Sequence, residues 1–158
     1  MMSEKTTIVI RIRGGIDCPY FVKDTMKMLR VDRTNCATIL RETPSYLGML
    51  RKAKDYITWG EPSVEMIKLI LEKRGRLIGD KQITDEAIKE LGYEGLDALA
   101  EKIKSGELDF SSLVGIKPFF RMHPPKKGFK RTVKRPFRDK GELGNRGEAI
   151  DELVKRMC

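Results

Sequence analysis

Hydrolytic, redox and group-transfer chemistry at neutral pH draws on a small set of side chains, and this sequence is thinly supplied with them. It holds one histidine, His123, and three cysteines, Cys18, Cys36 and Cys158. The cysteines are odd in number, widely spaced and free of any CxxC pattern, so they suit neither a disulfide framework nor a zinc site and read as reduced, mostly buried thiols. Cys18, beside Pro19, would be a nucleophile only with a partner base, and none is identifiable. No GxxxxGK[ST] or GxGxxG loop is present to cradle a phosphate; Gly14-Gly15 and the run from Gly141 to Gly147 read as turns. The acid pairs Asp85-Glu86 and Asp151-Glu152 fall in the first turns of expected helices, where the macrodipole accounts for them. The expectation is a protein with no catalytic residue, no metal site and no cofactor.

What the sequence has in quantity is positive charge in one place. The 158 residues carry 32 Lys and Arg against 23 Asp and Glu, a net charge of +9. Residues 117–140 hold ten of the cations and a single acid, Asp139, so this stretch alone contains the whole excess and the remainder is balanced. Pro118, Pro124, Pro125 and Pro136 remove backbone donors and favour extended or turning chain over regular helix. Four of the six phenylalanines, Phe119, Phe120, Phe129 and Phe137, lie there too. Exposing so many rings in a solvated tail would cost free energy. Extended backbone, clustered cations and interleaved rings suit a segment laid along a phosphate backbone, its rings stacking on bases or pinning the segment to the body. His123, inside the stretch, is better suited to stacking on or hydrogen bonding to RNA than to base catalysis.

Elements must hold that stretch. Thr7 to Arg13 alternates, with Ile8, Ile10 and Ile12 on one face and Arg11 and Arg13 on the other, which predicts a half-buried strand with a basic outer side. Gly14-Gly15 ends it, and Asp17 is positioned to cap a helix whose Val22, Met26 and Leu29 form an apolar stripe. Lys23, Lys27 and Arg30 run beside that stripe, next to the arginines leaving the strand. A turn over Asp32 to Asn35 leads to a β-prone run from Cys36 to Leu40, then to a helix opened by Thr43-Pro44, with Leu47, Leu50 and Ala53 or Ile57 facing the core. Ile57-Thr58-Trp59 closes a β-α-β-α-β unit whose helices cover one face of a sheet. Helices follow from Ser63 to Gly75, from Thr84 to about Leu91 and from Gly95 to Lys104. After the basic stretch, Asn145 and Glu148 have capping-box spacing, and Ile150, Leu153, Val154 and Met157 make an i, i+3, i+4, i+7 stripe. The basic stretch is therefore a loop tethered at both ends. No apolar run approaches the ~20 residues of a membrane span. Met1 to Thr6 leads into the first strand without a signal-like segment, so a cytoplasmic protein with no membrane partner is expected.

Several words in this order resemble the L-thirty family of large-ribosomal-subunit proteins in its longer archaeal form, which is similar to the eukaryotic L-seven homologue. They are Ile10-Arg11-Ile12-Arg13-Gly14, Leu29-Arg30-Val31, Glu42-Thr43-Pro44 and Gly48-Met49-Leu50. The long form is marked by Tyr56-Ile57-Thr58-Trp59-Gly60-Glu61-Pro62, Lys73-Arg74-Gly75, His123-Pro124-Pro125-Lys126-Lys127-Gly128-Phe129 and Gly144-Asn145-Arg146-Gly147-Glu148. The resemblance implies an α+β fold: a small β-α-β-α-β core over residues 1–61 with a three-stranded, ferredoxin-like sheet. Residues 62–158 would be a long-form extension with helices, the basic loop and a C-terminal helix. It further implies a structural, non-enzymatic protein of the large ribosomal subunit in the cytoplasm. Its partners would be large-subunit ribosomal RNA, 5S ribosomal RNA and neighbouring ribosomal proteins. The long basic N-terminal extension of the eukaryotic members has no counterpart in Met1 to Thr6.

Residues and resemblance together nominate the RNA contacts. In the first unit they are Arg11, Arg13, Gly14, Gly15, Lys23, Lys27, Arg30 and Arg33. In the basic stretch they are Arg121, His123, Lys126, Lys127, Phe129, Lys130, Arg131, Lys134, Arg135, Phe137 and Arg138. The alternative is a free-standing regulator that uses the same loop to bind RNA or DNA outside a ribosome.

Overall fold

The alternating first segment becomes the hub of the sheet. In a computed structural model that describes residues 5–158, β1 (Thr6–Arg11) pairs antiparallel with β2 (Cys36–Arg41), Ile8 opposite Ile39. Its other edge pairs antiparallel with β3 (Ile57–Gly60). The lead from Met1 to Glu4 lies outside the described residues. Between the strands come α1 (Tyr20–Met28) and α2 (Pro44–Lys52). α2 opens as its sequence predicts: Pro44 occupies the first turn, and Thr43 Oγ1 accepts a hydrogen bond from Tyr46 N at 3.2 Å. α1 does not use Asp17 as its cap. Asp17 sits in a turn with φ of 59°, and the helix starts after Pro19 with no side-chain cap.

The sheet differs from the three-stranded expectation. It has six strands in the order β4-β2-β1-β3-β6-β5, the added ones being β4 (Phe120–Arg121), β5 (Thr132–Pro136) and β6 (Gly141–Asn145). β4 pairs antiparallel with β2, while β6 runs parallel to β3 and β5 parallel to β6. The Gly141 to Gly147 run is thus mainly a strand rather than turns. Its glycines serve close approach: a Cβ on Gly141 would lie 1.8 Å from the Arg135 carbonyl oxygen. Glycine at this position makes room for the neighbouring strand.

Both faces of β1 are covered, so the expected basic outer side is also corrected; every residue of the strand is buried. Val9, on the face towards α1 and α2, packs with Val22, Met26, Leu29, Leu50, Ala53 and Ile57. Ile8 and Ile10 face the other way, into a core shared with α3 (Val64–Arg74), α4 (Asp85–Glu90), α5 (Leu96–Ser105) and α6 (Ile150–Met157). α3 and α4 open on the predicted caps, with Ser63 Oγ accepting from Met66 N and Thr84 Oγ1 from Ala87 N. All four stripe residues of α6 are at most 1% exposed. The capping box itself does not form: Asn145 Oδ1 accepts from Gly147 N, a short 3₁₀ turn over Gly147–Ala149 follows, and α6 begins only at Ile150.

Candidate nucleic-acid interface

The candidate residues of the first unit do not form one stripe; the fold selects some of them. Arg11 leaves β1 5% exposed, and carbonyls meet its guanidinium. Nε donates to the Arg13 carbonyl at 2.9 Å, and Nη1 to those of Val31 and Asp32. With that side chain fixed, Gly15, Lys23, Lys27, Asp32, Arg33 and Thr34 complete a concavity of about 420 Å³. Its volume falls in the ~300–1,000 Å³ range of ligand sites, but four cations rather than apolar groups line it, as a polyanion requires. Gly15 matters by being small: a Cβ there would lie 3.1 Å from Arg11 Nη2 and 3.6 Å from Lys23 Cε.

Three nominated residues stand outside that concavity. Arg13 is half-buried, its guanidinium 5.3 Å from the Tyr56 ring centre and donating to the Asp55 carbonyl at 3.2 Å. Gly14 is exposed on the turn. Arg30 does not continue the Lys23 and Lys27 row, because α1 ends at Met28 and Arg30 takes a left-handed φ of 62°.

The basic stretch is a strap fastened to the body. Phe120 is fully buried and stacks on Phe110 with ring centres 4.9 Å apart, and Phe129 is partly buried against the same core. Phe137 lies between two guanidinium groups, 4.9 Å from that of Arg131 and 5.2 Å from that of Arg146. These rings pin the chain. The charges around them face outward: Arg121, His123, Lys126, Lys127, Lys130, Arg131, Lys134, Arg135 and Arg138 are all exposed. His123 N donates to the Met157 carbonyl at 3.1 Å, and Lys126 N to that of Arg156 at 3.1 Å, so the strap's early part runs against the end of α6. In return Arg156 donates to the Lys126 carbonyl at 3.0 Å and to that of Gly128. Lys130 pairs with Glu152; its charge and hydrogen bond hold the Glu152 carboxyl below the usual carboxylate range, with Arg156 and Arg146 adding smaller effects.

The strap's principal anchor went unread in the sequence. Glu142 and Arg146, each with a side chain only 5% exposed, form an ion pair at 2.7 Å. Arg146 Nε also donates to Thr58 Oγ1 of β3 at 2.9 Å, and Glu142 Oε1 accepts from Arg131 N at 2.9 Å. One buried pair therefore joins β3, β6 and the strap. Arg74, Arg76, Lys117 and Phe119, which line a concavity with Arg121, were likewise not nominated. Their spacing spreads them over a helix end, a turn and a strand edge, so no local periodicity could have grouped them.

Among the described residues, no group of three or more His, Cys, Asp or Glu side chains is arranged to hold a metal ion, and no helix is long and apolar enough to cross a membrane. Burial pushes the thiols of Cys36 and Cys158 up, away from the thiolate form. The arrangement instead offers exposed cations on a rigid, ring-pinned frame.

Comparison with known proteins adds lineage to this geometry. A family model described as "Ribosomal protein L30p/L7e" matches residues 7–57, the first unit. Relatives match far more. The "Large ribosomal subunit protein uL30" of Ignicoccus hospitalis is 48% identical over 158 residues, 99% of each chain. The protein of that name from Aeropyrum pernix is 48% identical over 153 residues, 94% of this chain and 96% of its own. That of Methanosphaera stadtmanae is 47% identical over 150 residues, 94% and 97% of the two chains.

Proposed function

The chain belongs to the L30p/L7e family of ribosomal proteins, and from that premise we propose that it is a structural constituent of the large subunit of the cytoplasmic ribosome. It grips large-subunit ribosomal RNA and helps attach 5S ribosomal RNA, with neighbouring ribosomal proteins as further partners. Membership of a structural family agrees with the poor supply of catalytic groups in the sequence.

The observation that carries the RNA reading is the placement of charge. An excess of +9 is concentrated in residues 117–140, and nine of the ten cations there are exposed while Phe120 and Phe129 are packed against the body. Exposed Lys and Arg displace condensed counterions from phosphates, which gives affinity with little sequence preference. Specificity then comes from how the rigid body fits the folded RNA. The concavity around Arg11 supplies a second, more fixed contact. The 5S attachment rests on the long-form words Tyr56 to Pro62, His123 to Phe129 and Gly144 to Glu148.

Titrating the full chain against large-subunit ribosomal RNA at several salt concentrations tests this. With about 6–10 phosphates contacted, affinity should fall by roughly 10³–10⁵ between 50 and 200 mM salt. A nearly flat dependence would contradict the mechanism. Retention on large subunits through a high-salt wash distinguishes an integral component from a transient regulator. Release of 5S RNA from subunits lacking the chain is the expected sign of the attachment role.

A further inference from the structure

The edge of the sheet opposite β5 carries its own basic concavity. It is built from the end of α3, the turn after it and β4, and is lined by Arg74, Arg76, Asp80, Lys117, Phe119 and Arg121. With strands ~4.8 Å apart, five spacings put it about 24 Å from β5, too far for one phosphate to serve both. Asp80 is the sole acid of the lining, and it is paired with Lys117. The hydrogen bond and charge of Lys117 keep its carboxyl below the ordinary range, with Arg121 and Arg76 adding smaller effects. Three guanidinium groups remain. Arg76 is oriented by donating to the Gly75 carbonyl at 2.9 Å. Arg74 completes the lining from the end of α3, its buried Nε without a hydrogen-bond partner among the described residues. Arg121 lies 6.0 Å from the centre of the Phe119 ring, so a planar cation and an aromatic ring share the wall. At about 220 Å³ the concavity is smaller than the ~300 Å³ lower bound of usual small-molecule pockets, which leaves room for one phosphate and a partly inserted base.

We infer that this concavity, formed by Arg74, Arg76, Lys117, Phe119 and Arg121, is a separate site for a single unpaired RNA nucleotide, its phosphate held by the guanidinium groups and its base stacked on Phe119. The inference rests on the reading of the chain as an RNA-binding protein and adds a contact where the strap begins, at the edge of the sheet opposite β5. An unpaired nucleotide fits better than a duplex, because a ring and a fork of donors recognise a splayed base and its phosphate, whereas a helical groove offers only backbone to so narrow a recess.

Binding of the full-length chain to large-subunit ribosomal RNA tests it with charge-matched and ring-matched variants. Arg76→Gln should weaken binding by about tenfold and lower the salt slope by about 0.9, the share of one phosphate. Lys89→Gln, which removes the same charge from an exposed position on α4, should bind as the parent does. Phe119→Leu changes no charge and should lose roughly 5- to 100-fold, the range for one stacked base, while Phe119→Tyr should retain parental affinity and controls for folding. Equal losses in Arg76→Gln and Lys89→Gln, or parental binding by Phe119→Leu, would overturn the site. If the strap variant Lys126, Lys127, Lys130 and Arg131 to Ala also binds like the parent, the RNA-binding reading itself fails. If only the strap variant weakens, that reading stands and the inference falls.

Discussion

The concavity around Arg11 and the strap are both basic, yet they are built on opposite principles. In the concavity the central cation is buried, its guanidinium donates to three carbonyls, and a glycine keeps the space beside it clear. In the strap most of the cations are exposed and it is the backbone that is held, through Phe129, through Phe137 beside two arginines and through Glu142. The first arrangement has already lost its conformational entropy on folding, so it can select a shape. The second sets exposed long side chains along a fixed track, which gives strength with tolerance of where each phosphate falls. Charge in this molecule therefore does two jobs, and burial separates them.

The largest test of that division acts on the strap. Replacing Lys126, Lys127, Lys130 and Arg131 with Ala should cost affinity on the order of 10³–10⁴-fold at 100 mM salt, taking ~0.9 of salt slope per phosphate and 1 M salt as the limit where the contribution vanishes. The melting temperature should fall only slightly, since all four side chains are exposed and what is lost with them is the contact of Arg131 with the Phe137 ring and the exposed Lys130–Glu152 pair. A large drop in thermal stability would mean that these cations hold the fold as well as the RNA. Next in size is the anchor. Arg146→Ala leaves Glu142 buried without its partner and should cost about 3–5 kcal/mol in a denaturant titration. Changing both residues to apolar ones of similar volume should cost much less, because the desolvation penalty of both charges disappears together. Equal losses in the single and double variants would show that packing rather than the charge pair fastens the strap.

How legible these features were depended on whether they repeat locally. The apolar stripes of α1 and α6, the Thr43-Pro44 start of α2 and the caps at Ser63 and Thr84 follow from short-range rules and appear as expected. The sheet's extra strands did not, because β4 is two residues long and β6 is rich in glycine, so neither carries a β signature. The same gap explains Arg11. Alternation correctly put it on the face opposite Ile8, but covering that face depended on α1 and α2 packing over Val9, a tertiary event with no trace in the strand itself. The strap's charge and rings are plain from composition; that Phe120 and Phe129 pack against the body depends on contacts with residues elsewhere in the chain, such as Phe110.

Arg11 offers a smaller and sharper test. Arg11→Met keeps the volume in contact with the core but removes the hydrogen bonds to the carbonyls of Arg13, Val31 and Asp32. The expected loss is about 1.5–3 kcal/mol of stability, the range for a charged hydrogen-bonding group, together with weaker RNA binding. Arg13→Met should cost less in both, because that side chain is only half-buried and stands outside the concavity. If the two variants behave alike, burial is not what distinguishes the fixed contact from the exposed ones.

The smallest effect concerns a strap cation that already has a partner. Lys130 pairs with Glu152, whose carboxyl is held below its ordinary range chiefly by that hydrogen bond and charge. A carboxyl with a folded-state value below its unfolded one contributes fully above the unfolded value, and the contribution is lost as pH falls through the folded value. Both side chains are mostly exposed, so the pair should scarcely alter stability. Its importance lies in competition: a phosphate that takes Lys130 must displace Glu152. Following the Glu152 side-chain carboxyl by NMR as pH is lowered, the titration should lie below that of an unpaired glutamate, and Lys130→Ala should move it back up. Bound RNA should also move it up, since the lysine is drawn away and phosphate charge replaces it. A value unchanged by RNA would show that Lys130 stays with its own helix, and would move that residue from the phosphate-binding cations of the strap to the groups that fasten it.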